Sequence, residues 1–314
     1  MTTVYCTDGG ARLDVFLADE TELTRSHIKR LIDTGKVFVG GEAATKAGRT
    51  VKTGDEVAFD DVSETGDVLA EDIPLDVVYE DDDISVINKQ RNLVVHPGAG
   101  NPSGTLVNAL KYRYGDRLSS AYGAVRAGIV HRLDKDTTGL IVVARNDFAH
   151  AALSKQFAER SVKKLYRAIL DGNLKNDCGT VENNIGRDRR NRLKMAVVED
   201  GRHAVTRYNV LERYKNNCYV EFELLTGRTH QIRVHCAHLG HPVSCDALYG
   251  GSGRLRAEGQ LLHSRSITFT HPKDGREMSF TADEPSDFAA ALKALRGKGQ
   301  TSLQCREDVA KESV

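Results

Sequence analysis

The sequence lacks three features that would narrow its function at once: paired cysteines, an apolar run of membrane-spanning length, and a net charge. Its six cysteines form no C-x-x-C pair, and 44 basic residues balance 44 acidic ones. No segment approaches the ~20 apolar residues that a spanning helix requires, and none has the pattern of a signal peptide. We therefore expect reduced thiols, a cytoplasmic location and no membrane association. The neutral balance neither favours nor excludes nucleic acid as a partner.

The charge is nevertheless unevenly distributed along the chain. Basic residues cluster in residues 25–36 and again in residues 187–194, whereas residues 60–83 are strongly acidic. The 314 residues, 40 % of them apolar, suffice for one large domain or two unequal ones. Two basic clusters on a neutral chain favour RNA-binding surfaces over a uniformly solvated exterior.

Residues 1–59 have the pattern of a small helical and hairpin module. Two helices are predicted, and the second runs from Thr24 as its N-cap to Gly35. Arg25 and Lys29 are four residues apart, so they share one face of that helix. Short apolar segments after it predict strands. A module of this length is near the lower limit for independent folding.

Three further segments follow this module. Residues 60–74 are polar and acidic, and we interpret them as a linker. Residues 75–296 contain a succession of strand and helix patterns and should form the main domain. From residue 297 the chain lacks an apolar face, so we expect a disordered tail there.

Residues 127–147 combine two apolar runs with a charged group between them. The runs, at residues 129–130 and 140–143, predict two buried strands. The connecting loop would place Asp134 at the rim of a sheet beside an arginine and a histidine, a common way to hold a reactive carboxylate ionised. From spacing alone, a charged turn without chemistry is equally compatible with this pattern.

The motif HRLD at residues 131–134, followed by TTG at 137–139, resembles the signature of the RluA-type pseudouridine synthases. The resemblance implies that Asp134 is the catalytic carboxylate. It also implies that Arg132 occupies the space left by a flipped-out uridine, or holds the flipped strand. Attack on the anomeric carbon, addition to the pyrimidine and abstraction of a ribose proton are all compatible with a carboxylate here.

Two later motifs extend the resemblance. TGRTHQIRVH at residues 226–235 is similar to a block of the same family and implies that Arg233 pairs with Asp134, a contact that can be bidentate. The K-x-Y block at residues 164–166 implies that Tyr166 lies in the active site and stacks on the uracil. Tyr166 would accept the C5 proton only if its ordinary pKa near 10 were perturbed. Further substrate contacts are implied for His131, Arg228 and His230.

Three short motifs in the first module resemble the alpha-L RNA-binding module: RLD at 12–14, TRS at 24–26 and GKV at 35–37. The resemblance implies that Arg25 and Lys29 lie along an RNA backbone. A small dimerisation or packing domain is the alternative. We favour RNA, because the basic residues fall on one helix rather than all round the module.

Residues 84–98 resemble the family block N-K-P-x-G-L-x-V-H-P-G, and we interpret them as a β-hairpin with Lys89 on its surface. The chain departs from the family at three positions. Gln90 and Asn92 stand where Pro and Gly are usual, and Cys245 stands where another Gly is usual.

The histidines and cysteines of residues 230–245 could instead suggest zinc. No spacing among them matches a known metal motif, and the chain has no H-E-x-x-H. We therefore expect no metal site, and a helix with mixed packing and RNA-facing histidines in this segment.

The resemblance covers nearly all of residues 13–272 and implies an α+β protein. A small alpha-L RNA-binding module would precede a large catalytic domain, built on a mixed, mostly antiparallel sheet with flanking helices. The implied activity is isomerisation of uridine to pseudouridine in structured RNA, by a monomer that needs no cofactor. We prefer large-subunit ribosomal RNA as substrate because of the alpha-L module, and transfer RNA is the alternative.

Two functions of other classes stay open at this point. One is an RNA-binding accessory protein without activity. The other is a nucleoside or glycoside hydrolase that uses Asp134 with Asp136, since such enzymes need a pair of carboxyl groups. Neither explains the basic N-terminal module together with the motif at residues 226–235.

Overall fold

The computed structural model describes residues 2–6, 10–21, 23, 25–60, 68–98, 100–121 and 123–297. The chain divides into two compact units, and the boundary along the sequence falls between Gly66 and Asp67. Thr24, most of the first half of the predicted linker, and the predicted tail after Gly297 lie outside the described residues. No described helix is long and apolar enough to cross a membrane.

The first unit combines two helices with a small sheet. Its elements are β1 (Thr2–Tyr5), α1 (Leu13–Glu20), α2 (Arg25–Asp33), β2 (Val37–Val39), β3 (Glu42–Ala43) and β4 (Glu56–Phe59). The strands lie in the order β1-β4-β2-β3, and one apolar core includes Leu17 of α1, Ile28 of α2 and Val37 of β2. Gly35 ends the second helix in the left-handed conformation that the predicted C-terminal position requires.

The second unit is built on one large sheet with flanking helices. Its strands are β5 (Asp76–Glu80), β6 (Ile84–Lys89), β7 (Thr138–Ala144), β8 (Lys163–Asp171), β9 (Cys178–Arg187), β10 (Met195–Val197), β11 (Arg202–Arg213), β12 (Asn217–Leu224), β13 (Leu262–Thr270) and β14 (Glu277–Thr281). Its helices are α3 (Leu106–Tyr114), α4 (Asp147–Ala158), α5 (Gln231–His238) and α6 (Ser286–Arg296).

The strand order is β10-β9-β11-β12-β8-β13-β7-β6-β5, with β14 beside β13. Neighbouring strands are antiparallel except for β13 and β7, which are parallel. The predicted α+β class, with a mixed and mostly antiparallel sheet, is therefore confirmed.

Strand β7 lies in the interior of the sheet, and apolar cores cover both of its faces. Ile141 and Val143 pack on the side that also buries residues of α3 and α5, whereas Leu140 and Val142 pack on the side of α4. A strand that is buried on both faces needs apolar residues at every position. This requirement explains the unbroken apolar run that follows Gly139.

Two predicted strands are absent from the described chain. Residues 129–130 contribute only an isolated bridge from Ile129 to Val143, and residues 93–95 only a bridge from Val94 to Thr105. Both edges of β6 are already paired, with β5 and β7, so no edge remains for a hairpin partner. Strand β13 pairs with β7 only at Thr138 and Gly139, so the edge of β7 at Val143 is left to the single bridge from Ile129.

The two helices beside the site begin in different ways. Helix α4 is capped by Asn146, whose side chain accepts a hydrogen bond from the Ala149 amide. Helix α5 follows His230, which has a left-handed backbone and makes no side-chain cap.

The predicted linker is shorter than residues 60–74. Val68 is buried in the main core of the second unit, and the side chain of Glu71 accepts hydrogen bonds from the Gly104 amide. The buried Val68 and the Glu71 carboxylate thus attach residues 68–74 to the second unit, which acidic composition alone did not indicate.

The departures from the family block have a backbone explanation. Asn92 and Cys245 both have positive φ angles, of 60° and 64°. Glycine adopts this region without strain, and asparagine adopts it more readily than most other residues. Asn92 therefore preserves the turn, whereas Cys245 is a rarer choice. The Gln90 side chain donates to the Pro74 carbonyl.

Gly139 offers a test of how closely β7 and β13 approach. We expect Gly139→Ala to lower the free energy of unfolding by about 2–4 kcal/mol, because φ is +102° and a Cβ would lie 2.3 Å from the Ser264 carbonyl oxygen. Gly275→Ala is the matched control, since φ is +73° there but the space is open. Urea denaturation measures both variants, and equal losses would contradict the steric explanation.

Candidate active site

A cleft of about 500 Å³ opens in the second unit, within the range of roughly 300–1,000 Å³ that is usual for ligand sites. Seven of the residues that the sequence nominated line it: His131, Arg132, Asp134, Tyr166, Arg228, His230 and Arg233. The other two, Arg25 and Lys29, lie on α2 of the first unit.

Three different elements supply the central side chains. Asp134 lies on the loop that leads into β7, Tyr166 lies on β8, and Arg233 lies on α5. Strands β7 and β8 both pair with β13, which brings their side chains close together. The sheet order thus assembles residues that are up to 99 positions apart in the sequence.

Arg233 is shared between two carboxylates. Its Nη1 donates to Asp134 at 2.9 Å, while its Nε and Nη2 donate to the two oxygens of Asp246 at 2.6 and 2.9 Å. The Asp134 side chain is 16 % exposed, whereas those of Arg233 and Asp246 are 7 % and 1 % exposed. The bidentate contact expected with Asp134 is therefore made with Asp246, and Asp134 receives a single donor.

The two carboxylates keep the guanidinium charged. Burial by itself would lower the pKa of Arg233, but the hydrogen bonds to Asp246 and the charge of Asp134 raise it above its usual value. Because the buried Asp246 binds Nε and Nη2, the direction of the third donor, Nη1, is fixed. That donor is aimed at Asp134, so the carboxylate is held at the wall of the cleft.

Lys89 holds the same loop from behind and is not the surface residue that we predicted. Its side chain is fully buried, and Nζ donates to the carbonyls of Gln90, Leu93 and Lys135 at 2.9–3.0 Å. Burial lowers the pKa of Lys89 to about 7, although the charges of Asp136 and Asp134 oppose the shift. The Lys89 side chain points inward because these three buried loop carbonyls require a hydrogen-bond donor.

Tyr166 is buried beside the carboxylate. Burial raises the pKa of Tyr166 to about 12, and the charge of Asp134 contributes to the shift, while a hydrogen bond with Ser264 opposes it. The perturbation is opposite to the one that a tyrosine base would need. The phenol is therefore protonated in this site and presents an aromatic face and a hydroxyl group.

His230 lies between the carboxylate and a tyrosine. Its Nδ1 is 2.9 Å from the Tyr249 hydroxyl, and its Nε2 is 3.8 Å from Asp134. Burial lowers the pKa of His230, although Asp134 partly opposes the change. The left-handed backbone of His230, with φ of 57°, is a conformation that functional sites often retain at some cost in strain.

His131 has a packing role that the sequence did not indicate. Its Nε2 accepts a hydrogen bond from the Val142 amide, and its ring stacks on Phe157 at a centroid distance of 4.6 Å. Burial lowers the pKa of His131 to about 3, so the imidazole is neutral. These contacts bind the loop that carries Asp134 to β7 and α4, and a direct contact of His131 with substrate stays a prediction.

Cations surround the mouth of the cleft. Arg132, Arg160 and Arg202 are exposed, and the Arg228 Nε donates to the His203 carbonyl. The basic residues 187–194 lie on the β9–β10 hairpin. Tyr249 connects this hairpin to the site, because its hydroxyl group accepts a hydrogen bond from the Met195 amide. Such a charge distribution attracts phosphate groups.

The histidines and cysteines of residues 230–245 do not converge on one point. His235 bonds Thr206 and Asn183, and the His241 ring contacts the Asp171 carbonyl. Cys236 and Cys245 lie in separate apolar cores. Their side chains serve packing and hydrogen bonding, so this part of the chain offers no shared set of metal ligands.

Sequence reasoning missed three residues of the site. Asp246 and Tyr249 belong to a segment that matches the family. The identity of these two residues does not by itself indicate that either one contacts Arg233. The Cζ atom of Arg233 lies 5.0 Å from the centroid of the Tyr249 ring, so the ring packs against the guanidinium. The sequence pattern predicts Lys89 on the surface, whereas the structure buries it. All three roles depend on which polar groups the fold buries next to one another.

Comparison with known proteins agrees with this geometry. Residues 83–238 match the family model described as RNA pseudouridylate synthase, and residues 11–57 match the S4 domain, the predicted alpha-L module. A solved structure, human RNA pseudouridylate synthase domain containing 1, is 28 % identical with a TM-score of 0.57. It covers 74 % of this chain and 99 % of its own.

Curated relatives are similar over almost their whole length. An uncharacterized RNA pseudouridine synthase of Bacillus subtilis is 43 % identical, covering 92 % of this chain and 95 % of its own. Ribosomal large subunit pseudouridine synthase D of Vibrio parahaemolyticus is 42 % identical and covers 94 % of each chain. The same-named protein of Xanthomonas campestris is 44 % identical, covering 91 % and 89 %. The chain therefore belongs to the RluA-type RNA pseudouridine synthases, isomerases that convert uridine to pseudouridine in RNA.

Proposed function

We propose that Asp134 is the catalytic carboxylate of this enzyme and that uridines of large-subunit ribosomal RNA are its substrate. The observation that supports the first part is the 2.9 Å contact from a buried, fully charged Arg233 to a carboxylate that is open to the cleft. A carboxylate in this position is directed and accessible, as each of the three possible reaction steps requires.

The remaining residues have complementary roles in this proposal. Tyr166 stacks on the uracil and keeps its hydroxyl proton, which it can offer in a hydrogen bond, rather than acting as a base. Arg132 fills the space vacated by the uridine, which must leave its stack at a cost of a few kcal/mol. His131, Arg228 and His230 shape the wall that receives the base and ribose. No step needs an electron sink, so the proposal includes no cofactor.

A hydrolase that uses two carboxylates is poorly supported. Asp136 is absent from the cleft lining, and its Cβ lies under Gly259, where an added Cβ would be 2.8 Å away. Asp246 is buried, and both of its oxygens accept from Arg233. Asp134 thus has no second free carboxylate beside it among the residues that line the cleft, whereas glycosidases require one.

The ribosomal target is supported by the relatives named as large-subunit synthases and by the S4 domain. In this proposal, Arg25 and Lys29 contact the RNA backbone from α2. Both also pair within the module, Arg25 with Asp14 and Lys29 with Asp33, each at 2.6 Å. The Lys29–Asp33 pair is exposed on both sides and exchanges readily for phosphate. Asp14 is buried and would keep Arg12 as a partner if Arg25 turned to the RNA. We further propose that the enzyme is a cytoplasmic monomer.

Asp134→Asn tests the catalytic assignment. We expect product formation to fall on the order of a thousandfold or more while RNA binding persists, because the amide is uncharged but similar in shape. Asp136→Asn, two residues away and outside the cleft lining, is the control and should retain most activity. Tritium release from C5-labelled uridine in RNA, with filter binding in parallel, measures both. Normal turnover by Asp134→Asn would exclude the assignment.

The raised pKa of Tyr166 gives a prediction about pH. Because a raised pKa keeps the phenol protonated up to about pH 11, the single-turnover rate should show no inflection due to Tyr166 below pH 10. Tyr166→Phe should change the size of the rate but leave the shape of its pH profile between 7 and 10 unaltered. An inflection that is present in the parent enzyme and lost in Tyr166→Phe would oppose this.

The substrate is tested by mapping pseudouridines in ribosomal and transfer RNA from cells with and without the gene. We expect sites in large-subunit ribosomal RNA to disappear, and to return with the parent protein but not with Asp134→Asn. Loss confined to transfer RNA would refute the ribosomal target and leave the catalytic assignment intact.

A further inference from the structure

Arg91 lies behind the loop that carries Asp134, on the side away from the cleft lining. Its Nη1 donates to the carbonyls of Asp136 and Gln260, both at 2.9 Å. Its Nη2 is 2.9 Å from a carboxylate oxygen of Asp287, and the Arg91 side chain is only 9 % exposed. One guanidinium thus joins the catalytic loop, the segment before β13 and the first turn of α6.

The carbonyl that Arg91 holds belongs to the same turn as Asp134. The Thr137 amide donates to the Asp134 carbonyl at 3.1 Å, which closes residues 134–137 into a turn. A displacement of the Asp136 carbonyl would therefore rotate the peptide units on which the Asp134 side chain stands. Arg233 fixes the carboxylate from the front, whereas Arg91 fixes its backbone from the back.

The packing around this contact leaves little room for adjustment. A Cβ at Gly259 would lie 2.8 Å from the Asp136 Cβ and 3.3 Å from the Arg91 Nη1. The Gln260 side chain also donates to the Thr137 hydroxyl at 3.2 Å. The absence of a side chain at residue 259 allows the loop, the guanidinium and the strand segment to meet at van der Waals distance.

The third partner extends the connection to α6. Asp287 lies in the first turn of that helix, and the next residue, Phe288, is fully buried in the core between α6 and the sheet. Helix α6 is therefore a fixed support, and its carboxylate supplies a counter-charge 2.9 Å from the buried guanidinium. No motif nominated α6 for a part in the chemistry.

We propose that Arg91 is a positioning residue for the reaction, which orients the Asp134 loop by linking the Asp136 carbonyl to Asp287 of α6. The inference rests on the proposed catalytic role of Asp134. Arginine suits the position because its planar fork directs donors at several partners at once, whereas a lysine ammonium on a flexible stem lacks that fixed geometry. The role is separate from that of Lys89, which holds the carbonyl of the preceding residue.

Arg91→Gln tests the proposal against Arg256→Gln. Arg256 lines the same rear cleft, of about 790 Å³, and is exposed, so its substitution removes an equal charge without touching the loop. We expect Arg91→Gln to lower the single-turnover rate at saturating enzyme about 10- to 100-fold, the effect of a misplaced reactive group. The dissociation constant for RNA should stay within about twofold, and Arg256→Gln should resemble the parent in both.

Three further measurements separate positioning from a general loss of structure. Circular dichroism must show Arg91→Gln folded at the assay temperature. Arg91→Lys should recover part of the rate, and added guanidinium ion should partly restore Arg91→Ala, because the rear cleft opens to solvent. Asp287→Asn should lower the rate in the same direction, and its combination with Arg91→Gln should be no slower than Arg91→Gln alone.

The outcomes distinguish the two proposals. A parent-like rate in folded Arg91→Gln, or a loss confined to RNA affinity, overturns the positioning role while an inactive Asp134→Asn upholds the catalytic one. Full activity in Asp134→Asn overturns the catalytic assignment, whatever the Arg91 variants do. Additive losses in the double variant would overturn the link through α6.

Discussion

The site depends on one buried guanidinium that two carboxylates share. Asp246 takes two donors of Arg233 in the protein interior and leaves one for Asp134 at the cleft wall. A buried arginine is stable only with a full counter-charge, and Asp246 provides it. Asp134 can therefore take part in chemistry without leaving the cation unpaired. The two carboxylates thus differ in depth of burial, and only Asp134 is open to the cleft.

The loop that carries Asp134 is fixed on several sides by groups of different kinds. The neutral His131 ring accepts the Val142 amide and stacks on Phe157. Two buried cations, Lys89 and Arg91, donate to consecutive carbonyls, those of Lys135 and Asp136. These contacts limit the rearrangement that catalysis would otherwise require, which is the general benefit of a preorganised site.

The sequence indicated the residues that line the cleft more completely than the residues that hold them in place. The motifs at residues 131–134 and 226–235 indicated Asp134 and Arg233, and the fold brings the two side chains to 2.9 Å. The motifs did not reveal Asp246 as the main partner of Arg233, the inward orientation of Lys89, or a packing role for His131. Each of these depends on which polar groups are buried without a partner, and burial is a property of the assembled sheet and helices.

By itself, the sequence determined the family, the α+β class, the S4 module and the unbroken apolar run of β7, because local letters and their periodicity carry that information. Only the tertiary structure decided that residues 93–95 do not join the sheet, because both edges of β6 are paired. It likewise decided that residues 129–130 meet β7 through an isolated bridge rather than a strand. It also decided how the charges pair. Which groups form ion pairs and hydrogen bonds depends on their distance in space and on their burial. Neither quantity can be read from the separation of two residues along the chain.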